Sequence, residues 1–271
     1  MPHITQIAAV EPQSGSRFNC YAIPKVPIAA SAQQITGKVV SDSGCMTVSG
    51  EPVEAESVTT AMNKFMTWLE RFPCVVLVAH NGRRFDYPVL ISAITCLDFI
   101  SRFFCCVVGF IDSLPVFRKV FPNQESYKQE DLARTLLQSS YAAHNAIEDV
   151  EILGNLVWHA NMASEDLLKH SFRPNAVFNQ LSFNEEKNKN KESLNPLICN
   201  GVMKRPTAEN VAGSGLNFKH LRKIYDRDGE DGLRNIFCVI NSEGKPRITT
   251  TKKVLEDVIP KLAEYFKTNH V

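Results

Sequence analysis

Leu77-Val78-Ala79-His80-Asn81-Gly82-Arg83-Arg84-Phe85-Asp86-Tyr87-Pro88-Val89-Leu90 decides the architecture. An apolar run of strand length, Cys74 to Ala79, ends in a polar turn, and Asp86 then stands at or near the start of a helix that the pattern carries from Pro88 to Ile100. A run that is apolar at every residue suits a strand buried on both faces. The next strand is expected from Phe103 to Ile111. Strand, helix and strand in that order place Asp86 at the carboxyl edge of a sheet, where open α/β sheets hold ligands. Asp is also a favoured helix cap, so capping before Pro88 is the plainer use of the same residue.

Upstream, His3 to Val10 and Phe18 to Ile23 read as two strands joined by the turn Pro12-Gln13-Ser14-Gly15, a hairpin. A loop is expected from Pro24 to about Gly50, broken by Gly37 and Gly44. Ser57 to Phe72 has helical spacing, with Val58, Ala61, Met62, Phe65, Met66 and Leu69 on one face. Downstream, Glu130 to Gln138 reads as a short helix. Asn145 to His159 reads as a longer one, with Ile147, Val150, Leu153, Leu156 and Val157 aligned. The expected fold class is α/β, a mixed sheet flanked by helices, in a domain spanning residues 1–171.

Residues 172–192, ending in the polar run Asn184 to Glu192, are expected to form a flexible linker. Asn and Glu interrupt its lysines, which argues against a nuclear-localisation signal. Residues 193–271 read as a small helical domain. Helices are expected near Thr207 and over Asn217 to Tyr225, with Gly229 and Gly232 as punctuation, and over Thr249 to Phe266, where Pro260 should kink or split the helix.

The chain has 271 residues, 44% hydrophobic and 22% charged, with a formal net charge of +1. That balance neither argues for a nucleic-acid partner nor excludes one, because a local basic groove can sit on a neutral protein. The eight cysteines form no C-x-x-C pair, so a zinc site has little support. Cys74, Cys105 and Cys106 lie in apolar runs and read as small buried hydrophobes, free thiols in a reducing compartment. The start has no signal-peptide pattern and no run reaches membrane-spanning length, so an intracellular protein without a membrane partner is expected.

A second segment, Ala143-His144-Asn145-Ala146-Ile147-Glu148-Asp149-Val150, puts a His just before a helix and an Asp five residues on. Both side chains can meet at one end of that helix, where a carboxylate can hold a metal ion while an imidazole removes a proton from water. A solvated helix start is the alternative. Taken in order, the two segments resemble the second and third motifs of the DEDDh-type 3′→5′ exonucleases, which have a ribonuclease-H-like fold. Ile35-Thr36-Gly37 is similar to the loop with which that family contacts the 3′ nucleotide, and Asp112 lies where it carries an Asp at a strand end. Ser214 to Leu221 and Arg227 to Leu233 resemble the helical tail of PML-like proteins with exonuclease-like regions, including those of fishes. Three-prime repair exonucleases are the neighbouring likeness.

The resemblance implies that Asp86 and Asp149 are metal ligands and that His144 is the general base. Ile35, Thr36, Gly37, His80 and Asn81 would contact substrate. It implies two Mg²⁺ ions, with Mn²⁺ as a substitute, and single-stranded DNA or RNA 3′ ends as partners. The family's first motif, an Asp-x-Glu on the first strand, has no counterpart here: the first acidic residue is Glu11, with Ala9 two positions earlier. The expectation is therefore a domain without its first strand and without hydrolytic activity in this chain, either a fragment or a descendant that has lost the motif. The alternative function is a non-catalytic nucleic-acid- or protein-binding module of a PML-like scaffold. Its protein partners would be held by the helical tail, where Lys204, Arg205, Lys219, Arg222 and Lys223 form either a basic face or an ordinary solvated surface. A nuclear location follows from the resemblance alone; the cytoplasm is the other compartment.

Overall fold

The hairpin forms around the turn that the sequence predicts. In the computed structural model, which describes residues 3–141, 143–241 and 243–269, β1 (Gln6–Glu11) pairs antiparallel with β2 (Ser16–Ile23). The Glu11 side chain accepts the backbone N–H groups of Gln13 at 2.8 Å and Ser14 at 2.6 Å, which closes the turn. The stretch expected as loop is more ordered than its glycines suggest. It holds α1 (Ala30–Thr36) and a three-stranded meander of β3 (Lys38–Val40), β4 (Met46–Val48) and β5 (Glu51–Val53). Gly37 makes this turn possible. It ends α1 at φ 65°, donates its N–H to Gln33 O at 2.8 Å, and lies so close to Ser49 that a Cβ would sit 2.6 Å from Ser49 Oγ.

β6 (Ala55–Ser57) runs parallel to β2, and Ser57 caps α2 (Val58–Leu69) by accepting Thr60 N–H at 3.0 Å. The face predicted for this helix is the buried one, with Trp68 added to it. Then come β7 (Val75–Ala79), α3 (Asp86–Cys96), α4 (Ile100–Cys106) and β8 (Val107–Asp112), with β7 and β8 parallel. The segment Phe103 to Cys106, expected as strand, is the end of α4: Phe103 and Cys106 share its buried side at helical spacing. The chain continues through α5 (Ser113–Val120), α6 (Gln129–Leu136), α7 (Ala146–His159) and α8 (Ser164–Leu168). α7 packs on β1 and β2, and its Ile152, Leu153 and Leu156 form a core with Phe117, Leu132 and Ala133, against which Val78 of β7 also rests.

The strands do not join into one sheet. Among the described residues the orders are β1-β2-β6, β3-β4-β5 and β7-β8, so β1 and β7 are both edges. This explains why β7 is half-buried along its length and not sealed on both faces. The cysteines also depart from expectation. All eight are free, but Cys74 and Cys105 are exposed and only Cys106 of the three in apolar runs is buried.

The chain divides into two compact units, Met1–Asn179 and Gln180–Val271. The expected linker is occupied by α9 (Pro174–Ser193). The Glu and Lys residues of its polar run tolerate helix well, and Lys189 pairs with Glu185 one turn away at 2.7 Å. The second unit contains α10 (Asn195–Cys199), α11 (Arg205–Gly213), α12 (Phe218–Cys238) and α13 (Lys252–Thr268). Leu197, Val211, Leu221, Leu233, Phe237, Leu262 and Phe266 lie in its core. Gly229 breaks α12 at φ 62° and ψ −146°, as its punctuation suggests, whereas α13 runs through Pro260 without interruption. The architecture is mixed α/β with small sheets and flanking helices, as expected, followed by a helical region.

Candidate functional site

The parallel pair sets the site. Ala79 stands opposite Asp112 at the carboxyl ends of β7 and β8, and the turn His80 to Phe85 leads from there into α3. Gly82 is fixed by packing: a Cβ there would lie 2.7 Å from the Tyr87 ring and 2.8 Å from the Ala79 side chain. Tyr87 stacks on Phe110 with ring centroids 4.1 Å apart and donates its hydroxyl to the carbonyls of Leu77 and Ile111. The ring therefore pins the start of α3 to both strands, and Asp86, its neighbour, is directed to the strand ends.

Asp86 opens to solvent. Even so, the protein crowded around its carboxyl raises its pKa above the usual carboxylate range, and the charges of Asp112 and Asp149 push the same way. Asp112 is buried and committed. Its two oxygens accept Arg83 N–H at 3.1 Å and Leu114 N–H at 3.0 Å.

Asp149 enters from the first turn of α7. Burial raises its pKa, against the lowering effect of the Tyr141 hydroxyl and the His144 N–H, both of which donate to its carboxylate. Gln129 braces this corner, with its amide N–H groups on Tyr141 Oη at 3.2 Å and on the Asp149 carbonyl at 2.7 Å. His144 occupies the left-handed region at φ 71° in the turn before α7, with its Nε2 3.6 Å from Glu130 Oε1 and about half its side chain exposed. Its carbonyl accepts Lys38 Nζ at 3.4 Å.

The fold thus brings Asp86, Asp149 and His144 to one corner, together with the β3 end that follows Ile35-Thr36-Gly37. Ile35 is 60% exposed on the last turn of α1, while the Thr36 hydroxyl turns back onto Ala32 O at 2.7 Å. His80 is different. It is stacked on Phe117, with Nε2 at 2.8 Å from the Tyr127 carbonyl and Nδ1 at 2.9 Å from Ser113 Oγ, so both ring nitrogens serve the fold. A carbonyl only accepts, so Nε2 carries the proton and Nδ1 accepts from Ser113; burial lowers the ring's pKa and favours this neutral form. Asn81 takes φ 57° as a turn residue, its carbonyl accepting Arg84 N–H at 3.1 Å.

Two residues here escape a reading of the sequence. Lys38 is 5% exposed and lies in a stretch that looks like loop, and Tyr141 has no motif around it; Phe85, part of the segment that carries Asp86, is 68% exposed. Among the described residues, no three His, Cys, Asp or Glu side chains converge as a metal site. Nor is any helix long and apolar enough to cross a membrane.

A family described as exonuclease matches residues 2–157, the stretch that builds this corner. The C-terminal domain of PML matches residues 190–269, within the helical unit. No curated protein matches the chain. With the first of these matches covering more than half of its 271 residues, the chain belongs to the exonuclease family.

Proposed function

We propose that the first unit receives the 3′ end of a single nucleic-acid strand at the Asp86–Asp149 corner, and that this set of residues holds the end without cutting it. The carrying observation is that Asp86, from the middle of the domain's sequence, and Asp149, from near its end, lie close enough for the charge of Asp149 to act on Asp86. His144 stands on the turn before α7, the helix that carries Asp149, with its ring half exposed. Exposed Ile35 and Phe85 supply apolar surface on which a terminal base can pack.

Family members generally use divalent metals, and Mg²⁺ or Mn²⁺ would be drawn to Asp86 and Asp149 as oxygen ligands. The residues present do not fit a pair of ions. Both oxygens of Asp112 are engaged by backbone N–H groups, and no third donor joins the other two among the described residues. Two-metal hydrolysis needs ligands that hold both the attacking and the leaving oxygen, and no hydrolytic step is assigned to this set.

The test uses the full chain and a labelled single strand with Mg²⁺ or Mn²⁺. Binding to a strand with a free 3′ hydroxyl, weakened by a blocked 3′ end and unaccompanied by shortening, is the expected result. Asp149-dependent shortening would overturn the holding role, and equal affinity for the blocked end would overturn 3′-end recognition.

A further inference from the structure

The amino ends of β7 and β8 lie at the far end of these strands from Asp112 and the turn to Asp86, and three cysteines gather there. Cys74 directly precedes β7. Cys105 and Cys106 end α4 directly before β8, and the first residues of the two strands, Val75 and Val107, stand opposite each other. Neighbouring strands run about 4.8 Å apart. All three cysteines line one cavity of about 470 Å³, together with Phe72, Pro73 and the Glu70–Arg102 ion pair.

The three thiols are not equivalent. Cys74 and Cys105 are exposed, whereas Cys106 is buried and its thiol turns back onto the carbonyls of Arg102 at 3.5 Å and Phe103 at 3.4 Å. Burial also pushes the Cys106 thiol up, away from the thiolate form that reacts. Cys105 and Cys106 are consecutive in a helix, which points their side chains about 100° apart and keeps them from bonding to each other. The pair that remains is Cys74 and Cys105, one on each strand's approach. A disulfide needs Cα atoms within about 7 Å, and the turn at Cys74, outside any strand or helix, is the part that can adjust.

We propose that Cys74 and Cys105 are a redox pair: a small disulfide compound such as glutathione disulfide reacts with them at this cavity and converts them to an intramolecular disulfide, which encloses β7, α3 and Asp86 in one covalent loop. Either thiolate can open the exchange. With Cys74 first, its thiolate attacks one sulfur of the small disulfide, forming a mixed disulfide and expelling one small thiolate. The Cys105 thiolate then attacks the Cys74 sulfur, forming the protein disulfide and expelling the second. Two protein thiols are oxidised, one small disulfide is reduced to two thiols, and the protons lost by the two cysteines end on those thiols. Excess small thiol runs the same steps backwards.

The experiment equilibrates the full chain with glutathione disulfide and glutathione over a range of ratios, quenches with acid, and reads the digested protein by mass spectrometry. The linked Cys74–Cys105 peptide pair should reach half its maximum at a ratio of glutathione disulfide to glutathione at least about tenfold lower than half-modifies Cys45, Cys96 and Cys199, the other exposed cysteines, because the second thiol is held nearby at high effective concentration. Cys105→Ser should leave Cys74 carrying glutathione at the ratio typical of those cysteines, and Cys74→Ser should do the same for Cys105. Both side chains are exposed, so the variants should fold. In urea the native chain should lose its preference, since only the fold brings the two thiols together.

Separate glutathione adducts on Cys74 and Cys105, formed no more readily than on the other exposed cysteines, overturn the proposal. So does a link from Cys74 to Cys106 in place of Cys105, or a Cys74–Cys105 link that forms as readily in urea. The 3′-end reading stands apart from each of these results.

Discussion

Asp86 and Asp149 are ionised at a cost to the fold. Each carboxyl is raised above its ordinary range, chiefly by burial, so the native state binds protons more tightly than the unfolded chain does. The sign follows from linkage. Between the ordinary carboxylate range near ~4 and the raised native value, stability falls as pH rises, and above that window the loss is complete. Asp86→Asn should therefore raise the melting temperature at pH 7, by no more than about 1 °C because solvent screens this exposed side chain. The gain should vanish near pH 3, where the native carboxyl is already protonated. A pair of thermal melts at the two pH values checks this; a gain that is the same at both would show that the carboxylate charge is not its source. Groups kept in such a state for a task other than stability are typical of functional corners, which makes these two residues, and not Asp112 with its backbone donors, the candidates for the site.

At the scale of elements, two helical glycines give opposite expectations. Gly154 lies inside α7 with nothing within 4 Å of where a Cβ would stand, so Gly154→Ala should stabilise the protein by about 0.5–1 kcal/mol through helix propensity and a smaller unfolded-state entropy. Gly229 breaks α12 with φ 62° and ψ −146°, a region nearly closed to other residues, so Gly229→Ala should destabilise by about 1–3 kcal/mol despite open space around it. Urea midpoints for the two variants should move in opposite directions. Signals of this kind were readable in advance where chemistry is local. The apolar face of α2, the strand that ends at Ala79 and the break at Gly229 all follow from side-chain type and spacing. Others required the assembled molecule. Whether Phe103 to Cys106 continues a helix or starts a strand is ambiguous for a short apolar run, and neighbouring elements settle it as α4. A Glu/Lys/Asn run is compatible with both solvated coil and solvated helix, and α9 takes the second. The burial of Lys38 and the inward turn of His80 depend on partners about 106 and 33–47 residues away in sequence, beyond the reach of any local pattern. So the motif located the corner, while packing decided which of its polar residues face outward.

The whole molecule consists of two units with separate means of support. The second has its own core, in which Leu221, Leu233, Phe237, Ile259, Leu262 and Phe266 are fully buried, and Arg222 ties α12 to the end of α13 through the carbonyls of Phe266 and Asn269 at 2.9 and 2.8 Å. Residues 180–271 expressed alone should therefore give a helical circular dichroism spectrum and a single cooperative melt. A flat, non-cooperative melt would show that this core needs the first unit. In the first unit, the separation of β1-β2-β6 from β7-β8 has a further consequence. No described ladder of backbone hydrogen bonds crosses from one strand group to the other; what spans them is side-chain packing, with α7 resting on β1 and β2 while its core receives Val78 of β7. Packing of this kind gives way piecemeal, whereas a continuous ladder opens as one body. The seam between the strand groups is then a line along which the domain can breathe, and because α7 bridges it, each such excursion carries Asp149 with one side or the other and briefly changes its distance from Asp86.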